Sequence, residues 1–341
     1  MSKIISTQDR AIALRWRQAD NFMLKDCPNL TLVTADRPVA ALTILDNIPD
    51  VTLDLTVTRV ELYSKVIFTE KTMQTVMILQ LHNQTVDIAE LQEFTALYSL
   101  WLYNCTIVNV AQLPQDIESL YVKNCNFDTI YDVATHLWSM SIDQYSFRYF
   151  TGVDHIQSIE LSNFDADFIT DYLVSSQNVE VAVVRCNGLH VNGISDSVIC
   201  LRFHSCRGLV INVSVENLSI YDCRNLKIQK SGAYDSMHID YCDFVTFDTP
   251  FVAYLYIYQC DFLTTVNYNG NGEVTVHNCS AFTKFTGFGL KCVACDWYKP
   301  DAERLSKLVT CQAAVRRRRA MKKYAFSKVM CADLVKVVAE F

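Results

Sequence analysis

Leu97-Tyr-Ser-Leu100-Trp-Leu102-Tyr-Asn-Cys105-Thr-Ile107-Val-Asn-Val110 is the stretch that decides the fold. It reads L-x-x-L-x-L-x-x-C-x-I, and the pattern returns. Leu120-Tyr-Val-Lys-Asn-Cys125, Leu201-Arg-Phe-His-Ser-Cys206 and Leu218-Ser-Ile-Tyr-Asp-Cys223 repeat its core. So do Met237-His-Ile-Asp-Tyr-Cys242, Leu255-Tyr-Ile-Tyr-Gln-Cys260 and Val274-Thr-Val-His-Asn-Cys279. Self-similarity at about twenty residues is the signature of a solenoid, in which each unit buries its apolar face only against its neighbours.

Aligned on the first apolar residue of the L-x-L core, twelve copies start at Val60, Leu79, Leu100, Leu120, Met140, Ile159, Val181, Leu201, Leu218, Met237, Leu255 and Val274. Each core predicts a short strand whose alternate side chains point inward. At the turn after it stands Cys, at 105, 125, 186, 206, 223, 242, 260, 279 and 295. Repeated in register on stacked coils, these thiols predict a buried ladder rather than disulfide pairs. An apolar residue then re-enters the core, as Ile107, Phe127, Leu189 or Phe262 does.

This pattern resembles the leucine-rich repeat, over about residues 55–298, of the divergent, Cys-rich kind found in protist proteins. The resemblance implies an α/β solenoid: a leucine-rich-repeat horseshoe with a concave parallel β-sheet and short convex segments, with helical turns expected near 131–138 and 167–176. The division is a capping helix in residues 1–29, read from the spacing of Ala11, Ile12, Leu14, Trp16, Phe22 and Leu24; the solenoid in 30–299; and a basic helical segment in 300–341. Leu42-Thr-Ile44 and Leu53-Asp-Leu55 read as degenerate first coils. A parallel β-helix is the competing fold; it requires further strands in each coil, and only one is legible.

The chain carries a net charge of −7, unevenly distributed. Residues 1–301 hold 20 Lys and Arg against 34 Asp and Glu, and residues 302–341 hold 10 against 3. An acidic body with a basic tail bears on partners, not on fold. No apolar leader core or long apolar run is present, which with the unpaired thiol ladder predicts a soluble protein of the cytoplasm or nucleus. The N-x-S/T triplets at Asn29, Asn83, Asn104, Asn212, Asn217 and Asn278 are read as turn asparagines.

Residues between the inward positions face out from the sheet. That surface gathers Trp101, Tyr103, Tyr121, Lys123, Arg202, His204, Tyr221, His238, Tyr256 and Tyr258. Aromatics placed where no core needs them are what protein interfaces use as anchors, so these ten are the candidate partner-binding residues. His204, His238 and His277 lack a carboxylate at ligand spacing, Cys292 and Cys295 lack a second pair, and no nucleophile or phosphate motif occurs. The expectation is a non-catalytic scaffold without metal, cofactor or small-molecule substrate. A β-helix acting on carbohydrate is the alternative.

The tail offers a second contact through Gln312, Arg316, Arg317, Arg318, Arg319, Lys322 and Lys323. It partly resembles a calmodulin-binding IQ motif, with Gln312, Arg316 and Tyr324 in place and Cys311, Arg317 and Met321 departing from it. A calmodulin-like protein, an anionic membrane or a nucleic acid would each suit such a segment, and so would a simple cap on the solenoid.

Overall fold

A computed structural model describes residues 2–295 apart from 15–19, 46–50, 110–112, 115, 134–136, 230–232, 245, 249–250, 269–271, 288 and 294. The basic tail contacts named above therefore lie outside the described residues. The chain is a parallel β-solenoid. Sixteen strands, from Ser2–Ile5 to Leu290–Val293, form one long sheet in sequence order.

The ladder pairs the twelve repeat starts with one another. Val60 stands beside Leu79, Leu79 beside Leu100, Leu100 beside Leu120, and so on without a slip to Val274. Register is this firm because a one-residue shift would turn every inward side chain to solvent. Leu100 is 0% exposed and Leu102 1%, while Trp101 and Tyr103 between them remain partly open. Each buried Leu contributes about 2 kcal/mol, a gain available only with a coil on either side.

A residue at positive φ ends most of the long-sheet strands. Asn83, Asn104, Asn124, Asn163 and Asn278 all hold φ between 52° and 59°. Asparagine tolerates this left-handed conformation better than other side chains with a Cβ. Asn124 Nδ2 donates to Asn104 Oδ1 at 3.0 Å and Asn104 Nδ2 to Asn83 Oδ1 at 3.0 Å, a ladder along the corner. Three of the N-x-S/T triplets are thus turn asparagines.

At most corners the next residue is the ladder thiol, with Gln84 and Phe164 in its place after Asn83 and Asn163. Cys206 N–H donates to Cys223 Sγ, Cys223 N–H to Cys242 Sγ and Cys242 N–H to Cys260 Sγ, each at 3.4 Å. The thiol also lies near a carbonyl of its own coil, Cys223 Sγ being 3.4 Å from Tyr221 O. In one coil Ser146 takes this role, with Cys125 N–H donating to Ser146 Oγ at 3.0 Å. Desolvation pushes the Cys186 thiol up to about 11. Cys27, Cys200 and the nine ladder cysteines are free.

Several expectations need correction. The amino-terminal segment read as a capping helix is strand: Ser2–Ile5 and Asn21–Leu24 join the long sheet, and Ala11–Leu14 pairs with Leu32–Ala35. The coils therefore begin near residue 2, not 30. Leu42 does belong to a long-sheet strand, whereas Leu53 lies in Val51–Asp54 of a second sheet. Flanking strands of two to four residues recur after the corners, in small parallel sheets such as Thr85–Asp87 with Thr106–Val108 and Asn126–Phe127. The expected helix near 167–176 is present as Ala166–Ser175, capped by Asp165 accepting from Phe168 N–H at 2.8 Å. Near 131 the chain instead forms strand, Tyr131–Asp132 against Phe150–Thr151. Phe262 does not re-enter the core; it is 61% exposed on a turn, and Leu263 is buried instead.

Candidate functional site

All ten candidate partner-binding residues lie on the outward face of the long sheet, none of them buried. They do not form one patch. Tyr121 and His204 lie four strand spacings apart, about 19 Å. The intervening face carries small and acidic residues, among them Ser141, which donates to Glu160 Oε1 at 2.8 Å. Arg202 pairs with Glu180 at 3.4 Å at the edge of the second field.

In the first field Trp101 stacks on Tyr121 at 4.1 Å between centroids, and its indole N–H donates to Ser99 Oγ at 2.9 Å. Tyr103 stacks on His82 at 4.7 Å, and His82 on Tyr63 at 4.1 Å, with the planes within 9° of parallel. Ring spacing follows strand spacing because residues in register stand one above another. Glu61 organises the far end. It accepts from Tyr63 Oη at 3.0 Å and Thr43 Oγ1 at 3.2 Å, and His82 Nε2 lies 3.4 Å away. Arg59 donates to Gln80 Oε1 at 3.1 Å while its guanidinium lies 5.9 Å from the Trp101 ring. Burial, then the neighbouring Tyr121, Glu160 and Glu61, raises the Tyr103 phenol above its usual pKa; burial and Glu160 do the same for Tyr121. Lys123 is exposed beside Tyr103.

The second field joins His204, Tyr221, His238, Tyr256 and Tyr258. His204 stacks on Tyr221 at 4.9 Å and 9°, His238 leans on Tyr256 at 5.5 Å, and Tyr258 stacks on His277 at 5.2 Å. Asp240 stands between Tyr221 and Tyr258 in register. Its Oδ1 is shut from solvent and, among the described residues, has no hydrogen-bond donor; burial raises its pKa, opposed by the nearby His238.

Comparison with protein-family models, curated proteins and solved structures gives no match.

Three contributors lie outside the ten candidates. Tyr63 and His82 occupy outward positions but lie before the densest aromatic run, and only the stacking identifies them. Tyr241 sits at a positive-φ corner, φ 54°, where strand alternation gives no direction for the side chain. Among the described residues no group of His, Cys, Asp and Glu has the geometry to hold a metal ion, and no helix is long and apolar enough to cross a membrane. A separate cavity of about 360 Å³ opens between coils, lined by Leu62, Phe68, Leu79 and Phe94 and also by Lys65, Asp87 and Glu90 among others.

Proposed function

We propose that the chain is a non-catalytic scaffold that binds another protein along the outward face of its long sheet. The observation that carries this reading is the pair of stacked aromatic fields, built from side chains that the core does not require. Large rings held in place by their neighbours lose little entropy on docking and offer the contact area that anchors need. In the leucine-rich-repeat version of this reading the face is the concave wall of a horseshoe, supported by the L-x-L register and the cysteine corner. The cytoplasm is the compartment we favour, on the strength of buried thiols held in series. The basic tail would supply a second contact.

Tyr256→Ala with Tyr258→Ala tests the reading. The double variant should lose partner capture while its melting temperature stays within a few degrees, because neither ring is core. Loss of folding would refute it. The second reading is a β-helix that binds or cleaves carbohydrate, favoured by the second strand in many coils and by stacked rings of a kind that can also pack on sugar faces. A glycan array separates the two: glycan binding that depends on Trp101 or Tyr256, with no protein captured, selects the second.

A further inference from the structure

Tyr221, Asp240 and Tyr258 occupy one outward position on three consecutive strands. The two rings are therefore about 9.6 Å apart across the shorter carboxylate side chain. Their outer sides are braced by His204 against Tyr221 and His277 against Tyr258. Braced in this way, each presents a face to the space above Asp240. That space is filled by Tyr241, whose ring meets Tyr221 edge-on at 5.1 Å and 65° and Tyr258 at 5.6 Å and 77°. Tyr241 is 44% exposed and Tyr221 43%.

The combination is costly for an isolated chain. Among the described residues Asp240 Oδ1 is shut from solvent and accepts no hydrogen bond, and a buried acceptor without a partner is destabilising. Tyr241 adopts the left-handed conformation that five other corners give to asparagine, and a bulky side chain with a Cβ adopts it only under strain. Two aromatic faces and a carboxylate all carry negative potential, so the space selects positive charge. At present the Tyr241 ring fills that space, and His238, two residues back on the same strand, is the nearby group whose charge favours the carboxylate.

We propose that Tyr221, Asp240 and Tyr258 form a slot for an arginine side chain of the protein partner, and that Tyr241 is a plug that swings out when the arginine enters. A cation seated midway lies about 4.8 Å from each ring, inside the roughly 6 Å reach of a cation–π contact. The guanidinium adds N–H donors for the stranded carboxylate oxygen, which a lysine ammonium supplies with poorer fit to two flat walls. This proposal rests on the reading that the outward face binds a protein, and it names the chemistry that the partner must bring.

The test titrates N-acetyl-Gly-Arg-Gly amide into the full chain, read by saturation-transfer NMR, beside the citrulline and lysine versions. Arginine should bind in the millimolar range, with citrulline at least tenfold weaker and lysine between. Asp240→Asn and Tyr258→Leu should each weaken arginine at least tenfold with melting temperature retained. Tyr241→Asn, which installs the residue used at equivalent corners, should bind as well as the native chain or better. Equal binding of arginine and citrulline would overturn the slot, and so would an unchanged Asp240→Asn. A Tyr241→Asn variant as weak as Tyr258→Leu would overturn the plug. If the peptide fails but partner capture still depends on Tyr256 and Tyr258, the slot is wrong and the binding face stands; if capture ignores both, the face itself is wrong.

Discussion

Replacing Cys223 separates two roles that its sulfur could play in the corner ladder. The sulfur accepts the N–H of Cys206 at 3.4 Å from the coil before and is itself buried. Cys223→Ala removes that acceptor and strands a buried N–H, at about 1–3 kcal/mol. It also removes a sulfur about the size of one methylene, worth about 0.8 kcal/mol of burial. The total is about 2–4 kcal/mol, felt by the coils around Leu201, Leu218 and Met237. Cys223→Ser loses the apolar term but keeps an acceptor, and Ser146 already shows an oxygen receiving the corner N–H at 3.0 Å. Serine should therefore cost about 1 kcal/mol, less than alanine although it is the more polar substitution. Urea unfolding under reducing conditions, followed by circular dichroism, measures both. An alanine variant as stable as the serine variant, or more so, would refute the reasoning, because the N–H···S contact would then contribute nothing.

Other substitutions probe the remaining devices. Asn104→Ala should cost about 1–2 kcal/mol for the left-handed backbone beyond its lost ladder bonds, and Asn104→Gly clearly less, by urea midpoint. Gly272→Ala should be among the worst changes in the chain, since its Cβ would come within 1.5 Å of Ala253 O, whereas Gly188→Ala meets nothing within 4 Å and pays only for φ +67°; comparing the two melting temperatures checks this. Burial raises the Asp240 pKa, so the folded state holds its proton more tightly than the unfolded chain does. Ionisation then weakens the fold as pH rises through the raised value, and Asp240→Asn should gain stability over the native chain across that rise and show no further change in the difference below the ordinary carboxylate range. A difference that runs the other way in thermal melts would contradict the burial. Desolvation holds the Cys186 thiol at about 11, so at pH 8 a thiol reagent should label Cys186 only slowly until denaturant is added.

The solenoid was legible because its signal is long-range. Twelve starts share one phase, and a ladder with no slip from Val60 to Val274 is the structural form of that phase. The amino-terminal coils were misread for a local reason. Ala11, Ile12 and Leu14 satisfy a helical spacing over too few turns to exclude strand, and only pairing with Leu32–Ala35 settles the choice. The flanking strands escaped because two to four residues carry no period at all. At Phe262 and Leu263 two apolar neighbours compete for one inward position, and the turn at 261–262 gives it to Leu263.

The candidate site divides along the same line. Alternation in a strand is enough to put Trp101, Tyr103, Tyr256 and Tyr258 on the outer face, and the sheet carries them there. Alternation does not say which outward residue becomes trapped. Asp240 looks like any exposed aspartate until Tyr221 and Tyr258 are found on either side of it and Tyr241 is found turned over it from a left-handed corner. Tyr221 and Tyr258 belong to the coils on either side, so no reading of one repeat contains the whole arrangement. In a stack of near-identical units, a feature that distinguishes one coil has to arise from what its neighbours place beside it. Here that feature is a carboxylate oxygen set between two aromatic walls and accepting no hydrogen bond among the described residues, and it is the observation from which the proposed arginine slot is argued.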